Sequence, residues 1–464
     1  MRSSFYCLLL GTILLSGRSS SSRNPGVDYD FNRKYSVAEL RADFGFLRRL
    51  LEQRHPRPYE YTRKDEFRSF LDSMYGSINK EMSEREFQFF LLPVIGKVHC
   101  SHTKLLPSQY LLDHMASYFS APPFKLYFTA DKAWLLENFS ADTSLLPGAE
   151  ILSINGVPIH LVRHNFLSRV TSEGLNTTFI YNRMNAGIWP NTGQFGLFPG
   201  LSDYPGIDSY ELVFRNPGTS MEKKIKLSAI AYDDYLPLAA SKRKKAYSFY
   251  TLGSQRTAVL TISSFLRSDE DHAFVDFIDS SFAVLAAGGF DQLVIDLRGN
   301  IGGIPDGSVK LLTYIMPGKF VYYDHGAGFD EYKVPIALAK NRFMGRVFFL
   351  IDGACRSTTG HFLAMAKYYR IGPIIGEEAC ASFSCNSNGT PHTLPNTHLI
   401  FECPESTYSV AVSGLQRGRG IMPDYAVSPS VADLIAGKDT VLQFAMQLVG
   451  HPSADHGAAA VDQP

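Results

Sequence analysis

Residues 347–366 read VFFLIDGACRSTTGHFLAMA, and this stretch decides the fold. Val347 to Ile351 is a short, wholly apolar run that reads as a strand. Asp352-Gly353 interrupts it, and helical spacing follows from Thr358 to Tyr369. A strand passing through a loop into a helix is the repeating unit of an α/β sheet. The same alternation recurs on both sides. Ala258 to Ile262, Leu293 to Leu297 and Ile371 to Ile375 are further apolar runs, and Asp271 to Ala287 and Gly307 to Ile315 are helical stretches between them. That order predicts an α/β domain over residues 247–450, with parallel strands and crossover helices.

In an open α/β sheet, ligands bind at the carboxyl ends of the strands. Two of those ends carry unusual residues. LVIDLRGNIGG, Leu293 to Gly303, closes on Gly302 and Gly303. Paired glycines let backbone N–H groups come close to a reacting oxygen. The spacing is not that of a dinucleotide fingerprint. At the other end, Ser357 stands where the helix begins. There it can present a hydroxyl to a cleft while the helix N-terminus favours developing negative charge. An ordinary N-cap role is open to the same Ser. The surrounding residues are not the G-x-S-x-G elbow. Far upstream lies VIGKVHCSHTKL, Val94 to Leu105, where His102 is a candidate general base for a serine nucleophile.

The whole chain has 464 residues, with 45 Lys+Arg against 45 Asp+Glu. The balanced charge argues against a nucleic-acid binder or a polybasic membrane-surface protein. No internal run approaches the roughly 18 apolar residues of a membrane span. Met1-Arg2, the apolar Phe5 to Leu15 and the small residues Ser16 to Ser22 read as a signal peptide over residues 1–22, with a short membrane anchor as the alternative; the signal reading predicts an exported, periplasmic or secreted protein. Residues 28–112 read as a helical region, with capping patterns at Ser36-x-x-Glu39 and Ser83-x-x-Glu86. Residues 113–232 read as a strand-rich module. In it PGAEILSINGVPI, Pro147 to Ile159, places a tight turn at Asn155-Gly156, and Tyr210 to Phe214 pairs with Met221 to Leu227 as a hairpin. SKRKKA, Ser241 to Ala246, reads as a solvated linker, and residues 451–464 as a disordered tail. Cys100, Cys355, Cys380, Cys385 and Cys403 follow the signal segment. Cys380 and Cys385 are close enough in sequence to pair, and no Cys/His spacing is that of a zinc site.

Together these segments resemble the C-terminal-processing, or tail-specific, serine peptidases and their tricorn-core relatives. CSHTKL, PGAEILSINGVPI, DLRGNIGG, ACRSTTG, IIGEEA and RGRGIMPDY follow one another in the family's order, from about residue 36 to 449. The resemblance implies a ClpP/crotonase-like spiral peptidase core with a helical N-terminal region and a PDZ-like β-rich module. It implies that Ser357 is the nucleophile and His102 the base, with Ser101 orienting the imidazole. Gly302, Gly303 and the amide of Thr358 then form the oxyanion hole. The family's Ser/Lys branch places a Lys about two dozen residues beyond the Ser, where this chain has none. Lys367 is ten residues on, roughly 15 Å along a helix and out of reach. The tricorn-like branch expects an acidic residue just before Gly-x-x-Pro-Asp, where Arg417 and Arg419 stand, so Glu377 or Glu378 is the candidate carboxylate. The reading is an exported serine endopeptidase cutting polypeptides without metal or organic cofactor. The rival readings are a catalytically impaired member of the fold binding a hydrophobic ligand or peptide, and an assembly protein using the PDZ-like module alone.

Overall fold

The computed structural model describes residues 30 and 32–450, apart from 119, 186–206, 232–233, 236–237, 239–244, 253–255 and 266–272. The expected signal peptide and C-terminal tail lie outside these residues, as does most of the basic linker. No helix among the described residues is long and apolar enough to cross a membrane.

The core is a six-stranded sheet. Its strand order is Tyr247–Leu252, Thr257–Ile262, Gln292–Asp296, Arg346–Ile351, Ile374–Gly376 and Tyr425–Ala426. The first strand is antiparallel to its neighbour and the rest run parallel. Side chains alternate between two faces. Leu260, Ile295, Phe349 and Ile374 pack with the helices Ala273–Gly288, Pro305–Ile315 and Thr358–Tyr368. Val259, Val294, Phe348 and Ile375 pack instead on Val441, Ala445 and Val449 of the helix Thr440–Gly450. Both faces are therefore covered, and this is why these strands read as unbroken apolar runs.

Two features differ from the sequence expectation. The fifth strand begins at Ile374 and not at Ile371, because Pro373 offers no N–H and Gly372 packs so closely that a Cβ there would lie 1.8 Å from Val347 O. Residues 384–410 do not continue the strand–helix alternation. They form the antiparallel strands Ser384–Ser387, Thr390–Thr393, Ile400–Cys403 and Ser406–Val410. Their Ser, Thr, Asn and His content hides them from an apolar count.

This antiparallel extension ties the N-terminal region to the core. Ile400–Cys403 pairs with Lys104–Leu106, directly after His102. Leu394, Leu399 and Phe401 share a core with the N-terminal helices Val37–Arg54, Lys64–Gly76 and Glu84–Val98. Buried Asp43 accepts hydrogen bonds from the N–H and side chain of both Asn396 and Thr397.

The module is an antiparallel sheet in the order Glu222–Ser228, Ser209–Arg215, Glu150–Ile154, Ala133–Asn138 and Phe124–Phe128. Asn155 and Gly156 both have positive φ, 50° and 77°, as a two-residue hairpin turn requires. The module's helix Ile159–Arg169 lies against Glu84–Val98 so closely that a Cβ on Gly96 would stand 2.6 Å from Ser168 O. The two helices end side by side, and the loops that leave them are neighbours.

Candidate active site

Ser357 occupies the sharp turn between the strand Arg346–Ile351 and the helix Thr358–Tyr368, at φ 56° and ψ −128°. A positive φ on a non-glycine residue is strained and persists only where its surroundings enforce it. Its side chain makes no capping bond to the helix, so the N-cap role does not consume the hydroxyl. The Ser357 carbonyl accepts from the N–H groups of Gly360 (2.8 Å) and His361 (3.2 Å).

Asn300 builds the wall opposite. It is fully buried. Its Nδ2 donates to Ile262 O at 3.0 Å, while its Oδ1 accepts from Gly302 N at 2.9 Å and from Thr359 Oγ1 at 2.7 Å. Thr358 Oγ1 donates to Gly303 O. A Cβ on Gly360 would lie 2.5 Å from Ala381 Cβ. The three residues after Ser357 thus lock the helix start to the glycine turn and to the loop at Ala381.

This geometry revises one expectation. The Gly302 N–H is taken by Asn300, so it is not an oxyanion donor. The N–H groups of Gly303 and Thr358 make no hydrogen bond among the described residues, which leaves these two as the candidate oxyanion donors. Gly302 serves by its lack of a side chain. With φ at 98°, a Cβ there would sit 2.7 Å from both Arg356 O and Ser357 Cβ. Gly302→Ala is therefore expected to lower kcat about 100-fold or more, as loss of an oxyanion donor does. KM for a peptide substrate should move little. Wild-type kcat in steady-state assays of this variant would refute the packing role.

His102 lies in the loop after Glu84–Val98, its side chain 15% exposed. Its Nδ1 is 3.3 Å from Ser101 Oγ and 3.9 Å from Glu173 Oε2. Ser101 donates to Glu173 Oε2 through both its hydroxyl (2.7 Å) and its N–H (3.2 Å). Arg356 Nη1 donates to Ser101 O at 3.1 Å, so the residue before the candidate nucleophile grips the residue before the candidate base. No hydrogen bond joins Ser357 Oγ to His102 among the described residues, and such bonds are often loose without substrate. Burial pushes the His102 pKa below the ordinary imidazole value. The nearby Arg356 charge adds to that shift, and the Glu173 carboxylate opposes it.

Glu173 was not found by sequence reasoning. It belongs to the module, in the loop after Ile159–Arg169. Gly174 N donates to His99 O and Leu175 N donates to Gly418 O, each at 2.9 Å. The segment before Gly-x-x-Pro-Asp, where the family's acid was expected, does reach this corner of the molecule. The carboxylate there arrives from the module instead. Glu377 lies elsewhere: it accepts from Ser428 Oγ at 2.8 Å, and burial raises its pKa. Glu378 accepts from Arg419 Nε and Gly420 N, both at 2.9 Å. Neither contacts His102. Lys367 donates to Asp424 Oδ1 and Met422 O and is spent on that clamp. All five described cysteines are free and buried, Cys380 and Cys385 included.

The model of peptidase family S41 matches residues 256–427, which hold the glycine turn, Ser357 and the Gly-x-x-Pro-Asp segment. Among solved structures, mature CPAF complexed with lactacystin is 14% identical over 89% of this chain and 99% of that one, with a TM-score of 0.63. Mature CPAF is 13% identical over 90% and 99%, with a TM-score of 0.62. The photosystem II D1 C-terminal processing protease is 13% identical over 89% and 98%, with a TM-score of 0.45. No curated protein matches the chain. Fold and family match together define a serine-type peptidase. The family match covers the core, residues 256–427, and the fold of the chain is similar to that of mature CPAF.

Proposed function

We propose that the chain is an exported serine endopeptidase in which Ser357 attacks the peptide carbonyl and His102 is the general base. The supporting observation is the chain of contacts from Glu173 through Ser101 to His102, clamped by Arg356 beside the strained Ser357. Nδ1 of His102 faces Ser101 and Glu173, which leaves Nε2 to take the Ser357 proton and return it to the leaving amine. The acyl bond forms as the peptide C–N bond breaks, and water then releases the acyl group by the reverse proton path. The amides of Gly303 and Thr358 hold the oxyanion at the start of the helix Thr358–Tyr368, whose dipole favours the same charge. Export rests on the charged start and apolar run at residues 1–15.

The decisive experiment is labelling with a fluorophosphonate, which reacts only with an activated serine. Modification of the intact protein at Ser357, mapped by mass spectrometry, is the expected result. No labelling, together with tight binding of a hydrophobic ligand, would favour the non-catalytic reading. The module joins the site directly, because Asn176 Nδ2 donates to Ala379 O and Thr178 Oγ1 to Glu378 O, both at 2.8 Å. We assign it a gating role over polypeptide substrate: displacing it removes Glu173 from behind the base.

A further inference from the structure

Cys100, His102 and Glu173 converge although no sequence motif links them. One ligating atom from each lies within 4.8 Å of the other two. Cys100 and Glu173 are buried and His102 is partly buried. Zinc bound to thiolate, imidazole and carboxylate has bond lengths of about 2.0–2.3 Å, which at tetrahedral angles puts the ligand atoms roughly 3.3–3.6 Å apart. The Nδ1 to Glu173 Oε2 separation of 3.9 Å is close to that already. We propose that Cys100, His102 and Glu173 form an inhibitory Zn²⁺ site that switches the peptidase off reversibly.

The inhibitory effect rests on the catalytic assignment above; the site itself does not. Three features favour zinc. A thiolate donor selects a soft or borderline ion over magnesium or calcium. One thiolate and one carboxylate neutralise the dication, so the occupied site holds no net charge in a place where an unpaired ion would be costly. The ligand set leaves a fourth position for water, within the four-coordinate geometry zinc prefers. The protons balance simply. Zn²⁺ displaces the Cys100 thiol proton to solvent. It also takes the Nδ1 lone pair, so the neutral ring of His102 must carry its single proton on Nε2. An imidazole in that state can donate to Ser357 but cannot accept from it. Glu173 becomes a ligand and gives up its part in orienting the base. The metal thus blocks catalysis without covering Ser357.

Cobalt is the spectroscopic probe and zinc the functional one. Co²⁺ added to the full chain should bind with one-to-one stoichiometry and give a near-ultraviolet thiolate-to-metal band, which Zn²⁺ abolishes. Cys100→Ala should lack that band and keep the uninhibited peptidase rate. Its half-inhibiting Zn²⁺ concentration should rise more than about tenfold, since even losing an outer partner of a metal ligand weakens binding by roughly 10–100-fold. Cys403→Ala, in the N-terminal core, should behave as wild type in both assays. Absence of a thiolate band in the wild type overturns the site. Zinc inhibition unchanged in Cys100→Ala overturns the switch. Should Cys100→Ala fold poorly, Cys100→Ser and the wild-type cobalt spectrum decide. The cobalt arm needs no catalysis, so failure of the peptidase reading is seen separately.

Discussion

Replacing His102 by Ala is expected to reduce kcat for peptide hydrolysis by about 10⁴–10⁶, and Ser357→Ala by a similar factor, as members of one proton-transfer unit do. The double variant should be scarcely worse than either single one, because removing one partner already disables the other. The informative control is His99→Ala. His99 lies three residues earlier in the same loop, and its ring stands edge-on to Tyr61, with centroids 6.2 Å apart. Its ring meets the backbone of Gly174, and its backbone carbonyl accepts from Gly174 N. Removing the side chain leaves that bond in place, so His99→Ala should keep most activity. Far-ultraviolet circular dichroism and thermal melts would establish that each variant folds. Loss of activity in His99→Ala with full activity in His102→Ala would reverse the assignment. Full activity in both would overturn the pairing of Ser357 with a histidine of this loop.

The two histidines also illustrate what the sequence could and could not reveal. The parallel strands were legible because they are buried on both faces and read as apolar runs. The glycine turn and Ser357 were legible because they stand where such strands end. The role of Gly302 was misassigned because the neighbouring Asn300 side chain, not the glycine itself, decides which N–H stays free. That is a tertiary fact: Asn300 Oδ1 faces Gly302 N and Thr359 Oγ1 at once. The strands of residues 384–410 were missed because their polar side chains leave no periodic apolar signal. Yet they carry the pairing Leu105↔Phe401 that brings the His102 loop to the core. Glu173 was the least legible residue. It sits in Thr171-Ser172-Glu173-Gly174, a loop with no catalytic signature. Its position depends on two helices meeting at Gly96 and on Gly174 fitting against Gly418, where a Cβ would come within 2.6 Å of backbone.

Glu173→Gln is accordingly the second large effect expected. Making the carboxylate behind a catalytic imidazole into an amide costs about 10⁴ in kcat where the acid fixes the tautomer directly. Here Ser101 stands between them, so a loss of about 10²–10⁴ is expected, with little change in KM. The pH profile separates an electrostatic role from a merely structural one. His102 must be neutral to accept the Ser357 proton. Burial holds its pKa below 6.5, so the acid limb of kcat/KM in the wild type should lie below pH 6.5 and the rate should reach its plateau above it. The Glu173 charge raises the His102 pKa against that burial. Removing it must lower the pKa further and move the acid limb to still lower pH, even as the plateau falls. A lower plateau with an unmoved limb would mean that Glu173 only props the loop. A plateau and limb both unchanged would mean that Ser101 orients His102 without it, and that the module contributes no charge to the site.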